Sequence, residues 1–138
     1  MSLIEINNLT KQPIDLRLVK RAIKEFLKLH HLANKEVSVA LVDDKTITKL
    51  NRVYLGVAGS TDVLAFSGEN NYLGEIIIGY PQIKRQAQSY KNTVERELIF
   101  ILIHGLLHLF GYDDKTVTAK KEMERLSDKF FRNFKFYN

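Results

Sequence analysis

Two histidines one helical turn apart are the side chains in this chain best placed to do chemistry. They sit in the run His104-Gly-Leu-Leu-His108-Leu-Phe-Gly111-Tyr112-Asp113-Asp114. On an α-helix, residues i and i+4 share a face, so both imidazoles can turn toward one ion. Gly111 is the residue type that most easily ends a helix in the left-handed conformation and turns the chain back. That turn can carry Asp113 or Asp114 to the open side of the pair. Two imidazole nitrogens and one carboxylate, with the remaining positions left to water, make a catalytic rather than a structural metal site. The plainer alternative is that each histidine donates to a backbone carbonyl within an apolar helix. The glycine turn and the acids behind it weigh toward the metal. Position 105 is glycine, so the His-Glu-x-x-His layout of metallopeptidases, with its built-in general base, is absent.

The elements that must hold this motif follow from periodicity. Leu98 to Phe110 is apolar almost all round, which predicts a helix buried at the centre of the domain. Asn92 or Thr93 is its cap, and Glu95 and Glu97 lie in its first turn. Upstream, Ser2–Asn7 reads as a strand. Leu16, Val19, Ile23, Phe26, Leu27 and His30 mark a helix from Asp15, with Arg17, Lys20, Arg21, Lys24 and Lys28 opposite as a solvated or RNA-facing stripe. Val37, Val39 and Leu41 define a second strand, and Asp43 or Asp44 caps a short helix through Ile47 and Leu50. Strands at Asp62–Phe66 and Tyr72–Ile78 follow, the latter central to the sheet. Pro81 opens a helix to about Tyr90. Ala119, Met123, Leu126, Phe130 and Phe134 mark a final amphipathic helix. The expected fold is α+β: one domain over residues 1–138, with a small mixed four-stranded sheet packed by about five helices.

Composition narrows the class. The chain has 138 residues, 21 basic against 16 acidic side chains, a net charge of +5, and no cysteine. Thiolate metal sites and disulfides are thereby excluded, and a reducing cytosol is the expected setting. Met1–Glu5 lacks a basic-then-apolar leader layout, and the longest apolar stretch is too short and too interrupted to span a bilayer. A soluble, cytoplasmic, monomeric protein with no membrane role is expected. The basic excess is compatible with a nucleic-acid partner.

With the segments placed, the chain resembles the YbeY family of bacterial rRNA maturation factors, which are metal-dependent endoribonucleases. The family's strand-acid-helix signature is matched by Leu41-Val42-Asp43-Asp44 leading to Leu50-Asn51 and Tyr54. Its Thr-Asp-Val-Leu-x-Phe segment is matched by Thr61 to Phe66, followed by Gly74-Glu75-Ile76, and its long histidine motif by His104 to Asp114. The resemblance implies an α+β fold with a central metal-bearing helix and a zinc-type site at His104, His108 and Asp114. It also implies action on single-stranded RNA, maturation of the 16S rRNA 3′ end, ribosome quality control, and partners among ribosomal RNA and ribosome-associated proteins.

Three positions depart from the family pattern. Asp114 stands where the family has a third histidine, Leu55 where it has the arginine of a Tyr-Arg-Gly sequence, and Ser60 where it has a proline. A carboxylate still ligates Zn²⁺ at nearly the imidazole distance, but it lowers the charge of the site. That weakens the metal as a Lewis acid and makes Mn²⁺ or Fe²⁺ alternative occupants. Leu55 removes a cation that would stabilise charge on the scissile phosphate, and Arg52, one turn earlier, is its candidate substitute. Asp113 and Asp62 are candidates for proton transfer, and Lys84 and Arg85 for phosphate contacts. Two functions follow: an endoribonuclease of rRNA processing, or a weakened or inactive ribosome- and RNA-binding factor of the same fold. A hydrolase of some small substrate is a distant third.

Overall fold

The computed structural model describes residues 4–137, so the expected strand start at Ser2 lies outside the described residues. The order is β1 (Ile4–Asn8), α1 (Leu16–Leu29), β2 (Glu36–Val42), α2 (Asp44–Leu55), β3 (Val63–Ser67), β4 (Tyr72–Gly79), α3 (Tyr80–Ser89), α4 (Val94–Leu109) and α5 (Val117–Asn133). This is the expected α+β arrangement. The strands lie in the order β1-β2-β4-β3; β1, β2 and β4 are parallel and β3 runs antiparallel to β4. β4 is therefore internal, as its Ile76-Ile77-Ile78 run requires.

Strand alternation sorts the core onto two faces. Val37, Val39, Leu41, Ile76 and Ile78 face α1, α3, α4 and α5, while Ala40, Val42 and Ile77 face α2 through Ile47. A slip of one residue would exchange these sets, so burial on both faces fixes the register. α4 buries more side chains than any other helix: Leu98, Ile101, Leu102 and Leu106 are all buried, as its apolar circumference predicts. It also comes unusually close to the sheet. A Cβ at Gly105 would stand 3.2 Å from Ile76 Cγ2 and 3.3 Å from Val63 Cγ2. The missing side chain thus lets α4 settle against β3 and β4, with His104 beside the point of contact.

Side-chain caps define where the helices begin. Asp15 Oδ1 accepts from Leu18 N at 3.1 Å, Asp43 Oδ1 from Thr46 N at 2.9 Å, and Thr93 Oγ1 from Arg96 N at 3.1 Å. Of the two capping pairs open in the sequence, Asp43 and Thr93 do the work, each contributing about 1 kcal/mol. The basic stripe on α1 is outward with one exception. Arg21 is half-buried, donates to the carbonyls of Lys135 and Phe136, and lies 4.6 Å from the centre of the Phe134 ring. It ties α1 to the C-terminal segment because that segment offers open carbonyls and an aromatic face. Among the described residues, no helix is long and apolar enough to cross a membrane.

Candidate metal centre and its cavity

The end of α4 is built by three hydrogen-bonding events. Phe110 caps the helix, Gly111 N–H donates to His108 O at 3.0 Å, and Tyr112 N–H donates to Leu107 O at 3.0 Å. This paired closure needs a positive φ at the residue after the cap, and Gly111 has φ +101°. The chain then doubles back as the sequence predicts. Of the two acids it delivers, Asp113 turns to its own backbone, accepting from Lys115 N at 3.0 Å. Asp114 lines a cavity of about 720 Å³ together with His104 and His108.

In that cavity the Nε2 atoms of His104 and His108 stand 3.1 Å apart. Two nitrogen ligands of a tetrahedral ion stand roughly 3.3 Å apart when each bond is about 2.0–2.1 Å, so the pair fits a shared cation closely. Burial lowers the pKa of His104, and the neighbouring His108 lowers it further, against an opposing pull from Asp114 and Asp62. A depressed pKa keeps the imidazole neutral at neutral pH, the form with a lone pair to give.

The third expected ligand is less committed. Asp114 makes no side-chain hydrogen bond that would press it against the imidazoles. Among the described residues, no three His, Cys, Asp or Glu side chains are grouped as a complete metal cage. Of the three expected ligands, the structure brings the two histidines together and places Asp114 on the wall of the same cavity. The physical reason lies in the backbone: Asp114 rides on the loop beyond Gly111, whereas the histidines are fixed by a buried helix.

The remaining walls show what the cavity can bind. Asp62, at the foot of β3, lines it, and so does Leu55, 56% exposed at the end of α2. α5 adds Lys120, Glu124 and Asp128. These α5 residues escaped sequence reasoning, although their i, i+4, i+8 spacing marks one helix face and was the available signal. Four carboxylates (Asp62, Asp114, Glu124 and Asp128) thus face one lysine and the two imidazoles. A phosphodiester entering such a cavity requires a cation to offset this charge, which is a second reason to expect a metal there.

The three expected phosphate contacts lie elsewhere. Arg52, Lys84 and Arg85 are exposed but do not line the cavity. Lys84 Nζ donates to Gln12 Oε1 at 3.0 Å. Arg85 donates to both Asp44 oxygens at 2.9 Å and also to Gln82, and this pairing holds the Asp44 carboxyl below its ordinary pKa. With Ser60 Oγ donating to Asp44 Oδ1 at 3.3 Å, the cluster braces α2, α3 and the loop before β3.

Comparison with known proteins finds relatives along nearly the whole chain. A sequence model of the family described as endoribonuclease YbeY matches residues 5–135. The endoribonuclease YbeY of Persephonella marina is 35% identical over 99% of this chain and 95% of its own length. That of Endomicrobium trichonymphae is 36% identical over 95% and 92%. A Thermotoga maritima protein solved in solution superposes with a TM-score of 0.69 at 32% identity, covering 92% of this chain and 85% of the other.

Proposed function

The chain belongs to the YbeY endoribonuclease family and is accordingly an endoribonuclease, and from that membership we propose that it cuts single-stranded RNA with the help of a divalent metal held at His104 and His108. The observation that carries this reading is the 3.1 Å approach of the two Nε2 atoms inside a cavity whose other charged lining residues are four carboxylates and one lysine. Zn²⁺ suits two imidazoles best, with Asp114, on the wall of the same cavity, as the carboxylate ligand; Mn²⁺ and Fe²⁺ are the alternatives. When bound, the ion would supply Lewis acidity toward a phosphate oxygen and toward water.

The protein's own groups divide the rest of the work. α4 holds both imidazoles in fixed register, and burial keeps His104 free of its proton. Asp62, on the cavity wall, is the carboxylate we assign to take or hold a proton, since Asp113 is engaged with Lys115 N. Lys120 is the cationic side chain positioned to meet a phosphate oxygen. Leu55 contributes an apolar lip where the family pattern has an arginine, so the transition-state charge is less well supported on that side. In the cell this activity belongs in the cytoplasm and acts on ribosomal RNA, at the 3′ end of 16S rRNA and in ribosome quality control, in company with the ribosome or its associated proteins.

The test is direct. His104→Ala and His108→Ala should each reduce cleavage of single-stranded RNA by about a hundred-fold or more. Each should also lower the metal content of purified protein while leaving the circular dichroism spectrum unchanged. Retained cleavage by the doubly substituted protein would sink the reading.

A further inference from the structure

A second concave surface adjoins the cavity, and the proposed function does not use it. It is a groove of about 600 Å³ lined by Tyr90, Asn92, Arg96, Glu97, Phe100, Phe131 and Phe136. Phe100 lines both this groove and the metal-bearing cavity, so the two are neighbours across one ring. Its aromatic rings are unusually open for large apolar groups: Tyr90 is 68% and Phe100 46% exposed. Phe100 stacks on Phe131 at 6.2 Å between ring centres, and Phe131 on Phe136 at 6.2 Å. Arg96 lies 4.5 Å from the centre of the Phe136 ring, leaving its charge at the rim.

The groove also contains a buried carboxylate. Glu97 is only 4% exposed, and one of its oxygens, Oε2, accepts from Gln86 Nε2 at 3.0 Å. Among the described residues, the only fully buried side-chain polar atom without a partner is His30 Nε2. Oε1 of Glu97 has no protein donor among the described residues, and Glu97 is one of the residues that line the groove. An acceptor among aromatic faces, with a guanidinium at the rim, has the chemistry to receive a nucleobase that carries N–H donors. The rings stack on its face, the carboxylate accepts from its edge, and the arginine meets the adjoining phosphate.

Resting on the proposed action on single-stranded RNA, we infer that this groove is a base-binding subsite for the strand beside the scissile phosphate. It favours guanine, whose adjacent N1–H and N2–H can both donate to the free Oε1 of Glu97, whereas adenine offers that edge only its amino group. Helical spacing supports the pairing of the two sites, since Glu97, Phe100, His104 and His108 fall along one side of α4 at intervals of three and four residues.

Binding can be measured apart from cleavage by fluorescence anisotropy with short labelled single-stranded RNAs in the presence of chelator. The RNAs would differ only in carrying guanine or adenine. Tyr90→Ala and Phe100→Ala should each weaken binding about ten-fold, as expected for loss of a stacking face. Glu97→Gln should erase the guanine preference while leaving the affinity for adenine-containing RNA unchanged. Wild-type affinity in both aromatic variants, or a guanine preference that survives Glu97→Gln, would overturn the inference. So would aromatic variants that bind RNA normally but lose association with ribosomal particles, since the groove would then be a protein-docking surface. Cleavage assays with added metal on the same variants keep the two readings separable. If RNA is cut normally but the groove variants bind as wild type, only the subsite fails. If nothing is cut yet the guanine preference holds, only the catalytic reading fails.

Discussion

At the scale of single residues, the charge balance of the cavity decides how well it handles an anion. Four carboxylates oppose one lysine, and two departures from the family pattern, Leu55 and Asp114, both leave the cavity more negative than the pattern would. Asp114→His removes one negative charge, and Leu55→Arg adds a positive one at the lip. Each change should therefore raise the rate of single-stranded RNA cleavage by about ten-fold or more. Because both act on the same developing charge, the double variant should fall short of the product of the two effects. Steady-state kinetics decide the matter: a loss of activity in both single variants would mean that the native site depends on Asp114 as it stands. His30 poses a different residue-scale problem. Its ring sits 4.4 Å from Phe26 and 5.1 Å from Phe110, Nε2 lacks a partner, and burial, Lys129 and His31 all lower its pKa. The unfolded chain then binds this proton more readily than the folded one. His30 therefore costs no stability above its ordinary pKa near 6.5 but lowers stability as the pH falls below it. His30→Phe should flatten the decline in melting temperature between neutral and mildly acidic pH; an unchanged slope would show that His30 does not titrate on unfolding.

At the scale of elements, helix ends show most clearly what a sequence reveals and what it conceals. Gly111 announced the end of α4, and the paired closure it makes was readable from its type. α1 and α3 end in the same way, with Leu32 N–H on Leu27 O and Asn92 N–H on Ala87 O, yet the positive-φ residues there are His31 (φ 58°) and Lys91 (φ 54°). Nothing in those side chains signals a left-handed backbone; the tertiary path of the chain imposes it. Lys91→Gly should relieve that strain and raise unfolding stability by about 0.5–1 kcal/mol. Chemical denaturation would read this as a higher midpoint, and a lower one would mean that the lysine side chain makes up for the strain elsewhere. The same limit applied to the site. The i,i+4 histidines were visible because both lie on one helix. The choice between Asp113 and Asp114, and the arrival of Lys120, Glu124 and Asp128, depend on how a loop and a separate helix pack. Arg85 looked like a free cation because its partner, Asp44, is remote in sequence.

At the scale of the whole molecule, α4 is both the keystone of packing and the carrier of chemistry. Leu102 is fully buried between sheet and helices, so Leu102→Ala should cost about 2–5 kcal/mol through the cavity it leaves. A near-neutral result from denaturant titration would mean that the helices around it can collapse inward. The order of elements, the mixed sheet and this burial were all foreseeable, because hydrophobic periodicity reports directly on what must leave water. The seating of α4 against the sheet has one more consequence. From Glu97 to His108 the helix advances about 16 Å, at roughly 1.5 Å per residue, and its tight seat at Gly105 against Ile76 and Val63 prevents that span from changing. A helix so clamped works as a ruler. The base read at one end and the bond broken at the other stand at a set separation, so scission should fall a constant number of nucleotides from the recognised guanine, whatever sequence lies between.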